Sequence, residues 1–336
     1  MSIARDVEDA ALGCFLGACI GDAAGATLEF QGLPTPDNVE RAMAMTGGGF
    51  FRLASGQITD DGELALSLAD ALSRSSSFDI ETIARAYARW VDSSPFDIGT
   101  TTRLSLASFR EPSWSTRFEK EGYASAMKAA AFQNCGTSKA NGSLMRIAPL
   151  ALWGRGLPDD ELARCAIEDS LLSDPNESCC HALACYVIAV ANLLRKPGEH
   201  GPAFARAIAW AERNANDEVR RWLREADERT PVDFLSQVGF IRIGFVNAFQ
   251  HLLLETSYEK TIRDTLQKGG DTDTNACIAG ALVGAATGAE SIPKRMKAAV
   301  LDCDTRQGRP RPEFLHGRRV PELTKALLSA AVLRPR

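Results

Sequence analysis

Apolar residues recur every three or four positions along nearly the whole chain of 336 residues. The pattern is clearest over residues 64–72 and 184–194, where leucine, isoleucine, valine and alanine fall on one face of a helix. This spacing is typical of amphipathic α-helices, and no stretch shows the strict alternation of a half-buried β-strand. The sequence therefore predicts an all-α fold.

Thirteen helices are predicted from this period. They cover residues 7–29, 60–74, 80–92, 100–109, 119–133, 159–172, 176–195, 203–213, 216–227, 240–254, 258–268, 274–287 and 293–302. The connections between them are short and rich in glycine, proline and polar residues, so none is long enough to link two domains. We expect one compact domain over 1–304, with a basic C-terminal extension over 305–336 packed on it or flanking it.

Composition and charge exclude several classes of protein. Hydrophobic residues make up 45% of the chain and charged residues 24%, which excludes a disordered or collagen-like chain. The net charge of −5 offers no general attraction for nucleic acid. The charged opening does not resemble a signal peptide, and no stretch reaches the roughly 18 apolar residues of a membrane helix. We expect a cytoplasmic monomer without nucleic-acid or membrane partners.

Two local features have mainly structural interpretations. Residues 305–336 hold eight Lys or Arg against two Asp or Glu, which favours a solvated cap over a patch for an anionic partner. The nine cysteines are scattered through predicted helices, as expected of reduced, packed thiols. Cys179, Cys180 and His181 resemble half of a zinc site, but no second Cys or His pair follows at ligand spacing.

Four glycines stand four residues apart in the first predicted helix, at Gly13, Gly17, Gly21 and Gly25. They form a bare stripe on one face, against which another backbone can pack closely. The next position on the stripe is Glu29, so its carboxylate is expected to point to the interior or to a cleft that leads there. A glutamate that only solvates the helix end is the alternative.

Thr59, Asp60 and Asp61 stand at the start of a predicted helix, directly after a glycine-rich loop over 46–56 that is typical of a mobile flap. Thr59 or Asp60 can cap the helix, with Glu63 completing a capping box. Capping needs only one of the three residues, and adjacent carboxylates repel each other unless a cation or hydrogen-bond donors compensate. The pair therefore suggests a metal site.

A second oxygen-rich turn, Gly-Gly-Asp-Thr-Asp-Thr over 269–274, precedes a helix of small residues. Asp271, Asp273 and Thr274 can aim three oxygens at one point, and the paired glycines allow a sharp turn. A helix of small residues is normally buried, and carboxylates at its end are costly unless they are paired or bound to metal.

Together these positions make a ligand set of oxygens alone: Glu29, Thr59, Asp60, Asp61, Asp271, Asp273 and Thr274. Such ligands suit the hard cations Mg²⁺, Mn²⁺ or Ca²⁺. Five carboxylates exceed the need of one cation, so the sequence predicts a two-metal site. Metals roughly 3.5–4 Å apart can grip vicinal oxygens of a substrate and orient a nucleophile.

Five segments, in order, carry a resemblance that spans most of the chain. They read GCFLGACIGDAAGATLEF (13–30), ITDDGELALSLADAL (58–72), PFDIGTTTR (95–103), KANGSLMRIAPLAL (139–152) and GGDTDTNACIAGALVGAATG (269–288). The chain resembles the ADP-ribosylglycohydrolase family, or ADP-ribosyl-acceptor hydrolases, whose bacterial prototype is the dinitrogenase reductase-activating glycohydrolase. One such motif alone would be weak, whereas five in the same order are not expected by chance.

The resemblance implies a dinuclear Mg²⁺ or Mn²⁺ centre that hydrolyses the N- or O-glycosidic bond between C1″ of ADP-ribose and a modified side chain. Two residues are implied as catalytic. Glu29 falls on a mobile glutamate that can ligate metal and swing out as substrate enters, and Asp97 falls in the stretch that carries an acid/base carboxylate. The residues that fall on metal ligands are Thr59, Asp60, Asp61, Asp271, Asp273 and Thr274.

The same resemblance places substrate-binding residues at Gly99 and in a loop that holds the distal ribose and phosphates. The loop residues are Ser138, Asn141, Gly142 and Ser143. Read without the resemblance, Asp97 could be a turn residue before Gly99, and Asn141 with Gly142 an ordinary turn.

One departure from the family lies at Ser173, Asp174 and Pro175, where many relatives have Thr-His-Pro. Asp174 takes the position of the histidine and is counted among the substrate-binding residues, although it would repel a bound diphosphate unless Lys139 or Arg146 neutralised it. The departure leaves the acceptor and the substrate length open, but it does not affect the metal ligands.

Three hypotheses follow. The first is a hydrolase of ADP-ribosyl-arginine, with serine- or threonine-linked ADP-ribose or a free ADP-ribose derivative as alternatives. The second is a catalytically silent ADP-ribose-binding protein, disabled by Asp174. The third, a metal-dependent diphosphate lyase, is disfavoured because the chain lacks Asp-Asp-x-x-Asp and has few aromatic residues.

Overall fold

The described part of the chain, residues 5–332 of a computed structural model, consists of α-helices and short 3₁₀ turns and contains no β-strand. The all-α prediction is confirmed. The helices are α1 Arg5–Gly25, α2 Pro36–Met43, α3 Asp60–Ser73, α4 Ile80–Asp92, α5 Thr100–Leu106, α6 Pro112–Glu121, α7 Tyr123–Cys135, α8 Gly142–Arg146, α9 Ala148–Gly154, α10 Asp159–Ser170, α11 Glu177–Arg195, α12 His200–Asn214, α13 Asp217–Asp227, α14 Ile241–Leu253, α15 Tyr258–Gln267, α16 Thr272–Thr287, α17 Lys294–Leu301 and α18 Val320–Val332.

Several helix boundaries differ from the prediction. Helix α1 ends at Gly25 instead of residue 29, and the helix predicted over 119–133 is divided into α6 and α7 by Gly122, whose φ is +84°. Helices α2, α8, α9 and α18 were not predicted. Three of these are only five to eight residues long, which is too short for the apolar period to show.

Helices α1 and α16 lie in direct backbone contact at the centre of the molecule. A methyl group at Gly13 would lie 2.3 Å from the carbonyl oxygen of Gly284, and one at Gly17 would lie 2.5 Å from that of Gly280. At Gly21 the corresponding distance, to the Ala276 carbonyl oxygen, is 2.1 Å. The prediction that another backbone packs on the glycine stripe is confirmed.

Helix α11 is a long apolar helix of the core. It has the length and composition of a membrane span, with a mean hydropathy of 1.5, so the expectation that no stretch was apolar enough was wrong. However, 89% of that window is buried among the other helices. Its apolar surface is therefore satisfied by packing within the fold.

Residues 305–332, part of the predicted basic extension, pack on the rest of the chain. Helix α18 contacts α1, α3 and α9, and it buries Leu323, Leu327 and Leu328. Two of the arginines counted in the extension, Arg334 and Arg336, lie outside the described residues. The described part of this segment thus shares the main hydrophobic core.

We expect Gly17→Ala to destabilise the fold, because its methyl group would meet the Gly280 backbone, which cannot move independently of α16. The expected loss in the free energy of unfolding is about 1–3 kcal/mol. The control is Gly201→Ala in α12, where a methyl group would meet no atom within 4 Å. That change should be neutral or stabilise by up to about 1 kcal/mol. Guanidinium unfolding followed by circular dichroism measures both, and equal stability of the two variants would contradict the close-contact interpretation.

Candidate active site

The turn after α1 and the beginnings of α3, α5, α8 and α16 surround one cleft with a volume of about 400 Å³. Its walls are formed by Glu29, Asp60, Asp61, Asp97, Gly99, Thr100, Thr101, Thr102, Ser138, Ala140, Asn141, Gly142, Met145, Val238, Gly239, Asp271, Asp273 and Thr274. The five elements come from distant parts of the sequence, so the tertiary fold alone assembles this lining.

Most of the predicted site residues meet in this cleft. Those that line it are Glu29, Asp60, Asp61, Asp97, Gly99, Ser138, Asn141, Gly142, Asp271, Asp273 and Thr274. The other three, Thr59, Ser143 and Asp174, are buried and do not line it. The structure therefore brings together carboxylates that are up to about 240 residues apart in the chain.

Three carboxylates of the cleft lie close together. Glu29, Asp97 and Asp273 each place an oxygen within 4.8 Å of the oxygens of the other two. Burial, together with the negative charges of Asp97 and Asp271, raises the pKa of Glu29 to about 8. Burial and the charge of Asp271 raise the pKa of Asp97 to about 6. Crowded carboxylates without a counter-charge thus favour protonation in the isolated chain.

Asp60 and Asp61, at the start of α3, are also buried. Burial and the neighbouring carboxylates raise the pKa of both residues well above the usual value, and the same holds for Asp273. On the opposite wall, the Asn141 side-chain amide donates a hydrogen bond of 2.7 Å to Asp271. The described part of the lining contains no Lys, Arg or His to balance these charges.

Two carboxylate oxygens in the cleft have no hydrogen-bond donor. They are Glu29 Oε2 and Asp61 Oδ1, and both are buried. A buried anionic oxygen without a donor or counter-charge is costly, whereas a hard divalent cation would satisfy it. The donor set therefore fits Mg²⁺ or Mn²⁺.

Asp22, which the sequence analysis did not single out, lies directly behind the candidate site. Its carboxylate is fully buried in α1 and accepts hydrogen bonds from the Thr59 backbone at 3.0 Å, the Thr59 hydroxyl at 2.8 Å and the Gly62 backbone at 2.9 Å. It therefore anchors the first turn of α3, next to Asp60 and Asp61. The available signal was a single charged residue, directly after Gly21, in the otherwise uncharged stretch over 10–28.

The capping box predicted for α3 is wrong. The Thr59 side chain makes no capping hydrogen bond, because its hydroxyl donates to Asp22. Glu63 does not reach back to the helix start, since it accepts hydrogen bonds from Trp90 and Arg311. The Thr59 hydroxyl gives its proton to Asp22, which leaves its lone pairs available to another ligand.

Asp174 lies beneath the cleft wall and does not face a bound substrate directly. It is fully buried, accepts a hydrogen bond of 2.7 Å from Ser173, and also contacts the hydroxyls of Thr101 and Ser143. Its Oδ2 would lie 3.6 Å from a methyl group on Gly142. Burial raises the pKa of Asp174.

Of the two cations considered as partners for Asp174, Arg146 is the nearer one. Arg146 is fully buried, pairs with Asp169 at 2.9 Å and donates to the Ser173 hydroxyl at 2.8 Å. Its charge opposes the rise in the pKa of Asp174. Lys139 instead pairs with Glu218 at 2.7 Å.

Several lining residues carried no prediction. They are Thr100, Thr101, Thr102, Ala140, Met145, Val238 and Gly239. The three threonines follow the Asp-Ile-Gly motif directly and could have been included from their position. Val238 and Gly239 reach the cleft through a backbone pairing of Ala140 with Phe240, which no local pattern indicates.

An aromatic cluster forms one rim beside the cleft. The ring centroids are 5.0 Å apart for Phe30 and Phe50 and 5.5 Å apart for Phe51 and Phe96. Phe30 and Phe50 are 66% and 69% exposed. The loop over 46–56 that contributes to this rim is closed by a pair of backbone hydrogen bonds of 2.8 Å between its residues 48 and 53, and its predicted mobility stays a prediction.

Comparison with known proteins agrees with this arrangement. The sequence profile of the ADP-ribosylglycohydrolase family matches residues 4–332. The ADP-ribosyl-[dinitrogen reductase] glycohydrolase of Rhodospirillum rubrum is 30% identical over 297 residues, which cover 85% of this chain and 88% of that protein. The ADP-ribosylarginine hydrolase Tri1 of Pseudomonas putida (strain GB-1) is 28% identical over 298 residues, 85% of this chain and 72% of that protein. A solved ADP-ribosylglycohydrolase-related protein complex aligns with a TM-score of 0.75 at 25% identity, covering 98% of this chain and 100% of that one.

The cation-free protein should lose stability as the pH rises. Because burial and neighbouring carboxylates raise the pKa of Glu29 from 4.5 to about 8, the folded chain binds more protons than the unfolded chain between these values. The free energy of unfolding therefore falls as the pH increases through this window. In EDTA, Tm should decrease from about pH 6 to about pH 8, and Mn²⁺ should remove the decrease.

Differential scanning calorimetry with two variants checks this prediction. Glu29→Gln should reduce the slope of Tm against pH in EDTA, whereas Glu119→Gln on the exposed face of α6 should leave it unchanged. A Tm that is flat or rising in EDTA over this range would contradict the prediction.

Proposed function

The chain belongs to the ADP-ribosylglycohydrolase family, and from that premise we propose that it hydrolyses the glycosidic bond joining C1″ of ADP-ribose to a modified arginine side chain. The observation that carries the proposal is the cleft in which the buried oxygens of Glu29 and Asp61 have no donor. A purely structural acidic cluster would have acquired basic partners or hydrogen-bond donors.

The proposed cation ligands are Thr59, Asp60, Asp61, Asp271, Asp273 and Thr274, together with Glu29. Two divalent cations, Mg²⁺ or Mn²⁺, would supply Lewis acidity toward the ribose hydroxyls when bound. The donors fit this role, because carboxylate and hydroxyl oxygens are the ligands that these cations prefer. Because the Thr59 hydroxyl donates its proton to Asp22, its lone pairs can accept a cation.

Asp97 is the proposed acid/base residue. Positive charge builds on C1″ as the glycosidic bond breaks, and the step needs a group that gives a proton to the leaving side chain or takes one from water. A pKa of about 6 lets Asp97 exchange a proton near neutral pH. An oxygen of its carboxylate lies within 4.8 Å of oxygens of Glu29 and Asp273.

Glu29 is the residue that we propose moves aside when a substrate enters the cleft. It lies in the turn that follows α1, directly before the exposed Phe30, and it is partly exposed. A side chain at the mouth of the cleft can rotate away when a substrate enters, whereas Asp61 in the first turn of α3 is held rigidly.

The wall formed by Ser138, Asn141 and Gly142 is the proposed site for the distal ribose and phosphates, with Ser143 and Asp174 supporting it from behind. The first N–H groups of a helix have no partner within that helix, and turns of this kind hold anions. Gly99 belongs to the facing wall at the start of α5.

Charge supports arginine as the acceptor. The described lining of the cleft carries six carboxylates and no cationic side chain, which favours a leaving group that carries positive charge. One relative, Tri1, is named an ADP-ribosylarginine hydrolase. The alternative of a silent binder assumed that Asp174 repels the diphosphate. Because Asp174 is buried behind the wall, this argument for a silent binder is weaker.

The direct experiment measures release of ADP-ribose from peptides ADP-ribosylated on arginine, serine or threonine, with Mg²⁺, with Mn²⁺ and with EDTA. Release from the arginine peptide that EDTA abolishes is the expected result. Release from the serine or threonine peptide alone would overturn the acceptor assignment. Binding of ADP-ribose without cleavage of any peptide would favour the silent binder.

Asp61→Ala and Asp271→Ala should each abolish turnover while the helical fold is retained, because each removes a proposed cation ligand. Circular dichroism and steady-state assays test this together. Asp37→Ala in the exposed first turn of α2 is the matched control and should keep full activity. Full activity of the Asp61 and Asp271 double variant would exclude the two-metal mechanism.

Asp97→Asn should lower kcat by about 100-fold or more, a typical contribution of a general acid or base, while KM changes little. The amide keeps the size and most hydrogen bonds of the carboxylate but cannot exchange a proton. An unchanged kcat would assign Asp97 to a structural role, as a turn residue before Gly99.

A further inference from the structure

We infer that Arg311 is a positioning residue of the active site, whose guanidinium joins helix α3 to the loop that carries Asp97. The inference rests on the proposed function, which gives the first turn of α3 and Asp97 their roles. It also assigns a use to the basic C-terminal segment, whose sequence indicated only a solvated cap.

The first half of the contact is a buried ion pair with α3. Arg311 is 3% exposed at its side chain and Glu63 is 1% exposed. The Nε and Nη2 atoms of Arg311 donate to the two carboxylate oxygens of Glu63 at 2.7 and 2.8 Å. The Trp90 indole donates to the same carboxylate at 2.8 Å, so Glu63 is fully satisfied and fixed.

The second half of the contact holds the loop after α4. The Nη1 atom of Arg311 donates to the carbonyl oxygens of Ser93 at 2.9 Å and Ser94 at 3.1 Å. Its Nη2 atom also donates to the Ser93 hydroxyl at 2.7 Å. The guanidinium thus makes five hydrogen bonds, the full number of its N–H groups.

These bonds fix the backbone three residues before Asp97. Ser94 has a φ of +55°, a left-handed conformation that an ordinary side chain adopts only when its surroundings hold it. Phe96, the neighbour of Asp97, lies with its ring centroid 5.9 Å from the Arg311 guanidinium. Arg311 therefore contacts the loop on both sides of Pro95.

We call the contacts of Arg311 with Glu63, Ser93 and Ser94 the clamp. Its contact with Glu63 lies next to the proposed cation ligands. Glu63 stands in the first turn of α3, four residues after Thr59. One planar group thus links the element of Asp60 and Asp61 to the element of Asp97. Because displacements of about 1 Å at a reacting group can cost about 100-fold in rate, such a link matters for turnover more than for binding.

The C-terminal segment is itself held in place where it delivers Arg311. The Arg311 backbone N–H donates to the Thr305 hydroxyl at 3.3 Å, and His316 Nε2 lies 2.9 Å from the Arg311 carbonyl oxygen. Glu63 and Arg311 are 248 residues apart in the chain. Only the packed C-terminal segment can bring this guanidinium to α3.

Three variants distinguish a positioning role of Arg311 from a contribution to the stability of the fold alone. Arg311→Lys keeps the charge but loses the planar fork. The double variant Glu63→Gln with Arg311→Met removes both buried charges, so that no unpaired charge remains to unfold the protein. Arg309→Met is the matched control, because Arg309 comes from the same segment and lies over the same Phe96 ring, 5.4 Å from its centroid, yet it is exposed.

The assay measures kcat and KM on the peptide that wild type cleaves, with Tm and the Kd for ADP-ribose. Arg311→Lys and the double variant should lower kcat by about tenfold or more, with KM and Kd within about twofold. Arg309→Met should keep kcat within about twofold of wild type. A double variant that melts near the wild-type temperature with wild-type kcat would overturn the inference and leave Arg311 a structural role.

Hydrogen exchange of residues 93–99 tests the clamp without any activity. Both Arg311 variants should speed exchange in this segment by about tenfold, and Arg309→Met should not. If wild type cleaves no peptide, the proposed function fails, and this measurement alone judges the clamp. Unchanged exchange in the Arg311 variants would overturn the clamp even if wild type is active.

Discussion

The contact between the backbones of α1 and α16 is the constraint on which the rest of the structure depends. It requires glycine where the helices touch, because a methyl group at Gly17 or Gly21 would overlap a carbonyl oxygen of the other helix. At the far end of the same contact, Gly25 lies against the backbone of Asp273. The packing that forms the core therefore also places the end of α1 beside the oxygen-rich start of α16.

Several buried carboxylates outside the cleft lining accept hydrogen bonds from partners that are far away in the chain. Asp22 accepts from the first turn of α3, Glu63 from Arg311 and Trp90, and Asp169 from Arg146 and Tyr87. Glu29 and Asp61 each retain a buried oxygen without a donor. Two such oxygens on one cleft whose described lining has no basic side chain indicate that a cation is expected there.

The carboxylates that have hydrogen-bond donors hold in place the helix that carries Asp60 and Asp61. Asp22 holds the start of α3 from one side, and the Glu63–Arg311 pair holds its first turn from the other. Crowded negative charges in the cleft would otherwise push apart the elements that carry them. This shell of hydrogen bonds explains how the chain can keep six carboxylates around one cleft of about 400 Å³.

The sequence by itself determined the helical class, the close contact at the glycine stripe and the oxygen-bearing residues at the starts of α3 and α16, because helical period, bare glycine spacing and oxygen-rich turns are local patterns. Asp97, Gly99 and the residues over 138–142 were added only by the resemblance to the family. Only the tertiary structure decided that Glu63 pairs with Arg311 instead of capping α3, that Asp22 anchors Thr59, and that Asp174 lies behind the wall. Each of these depends on a partner far away in the chain. The residue type and its local sequence indicate which groups a side chain can bind, whereas the packing of distant helices decides which partner reaches it.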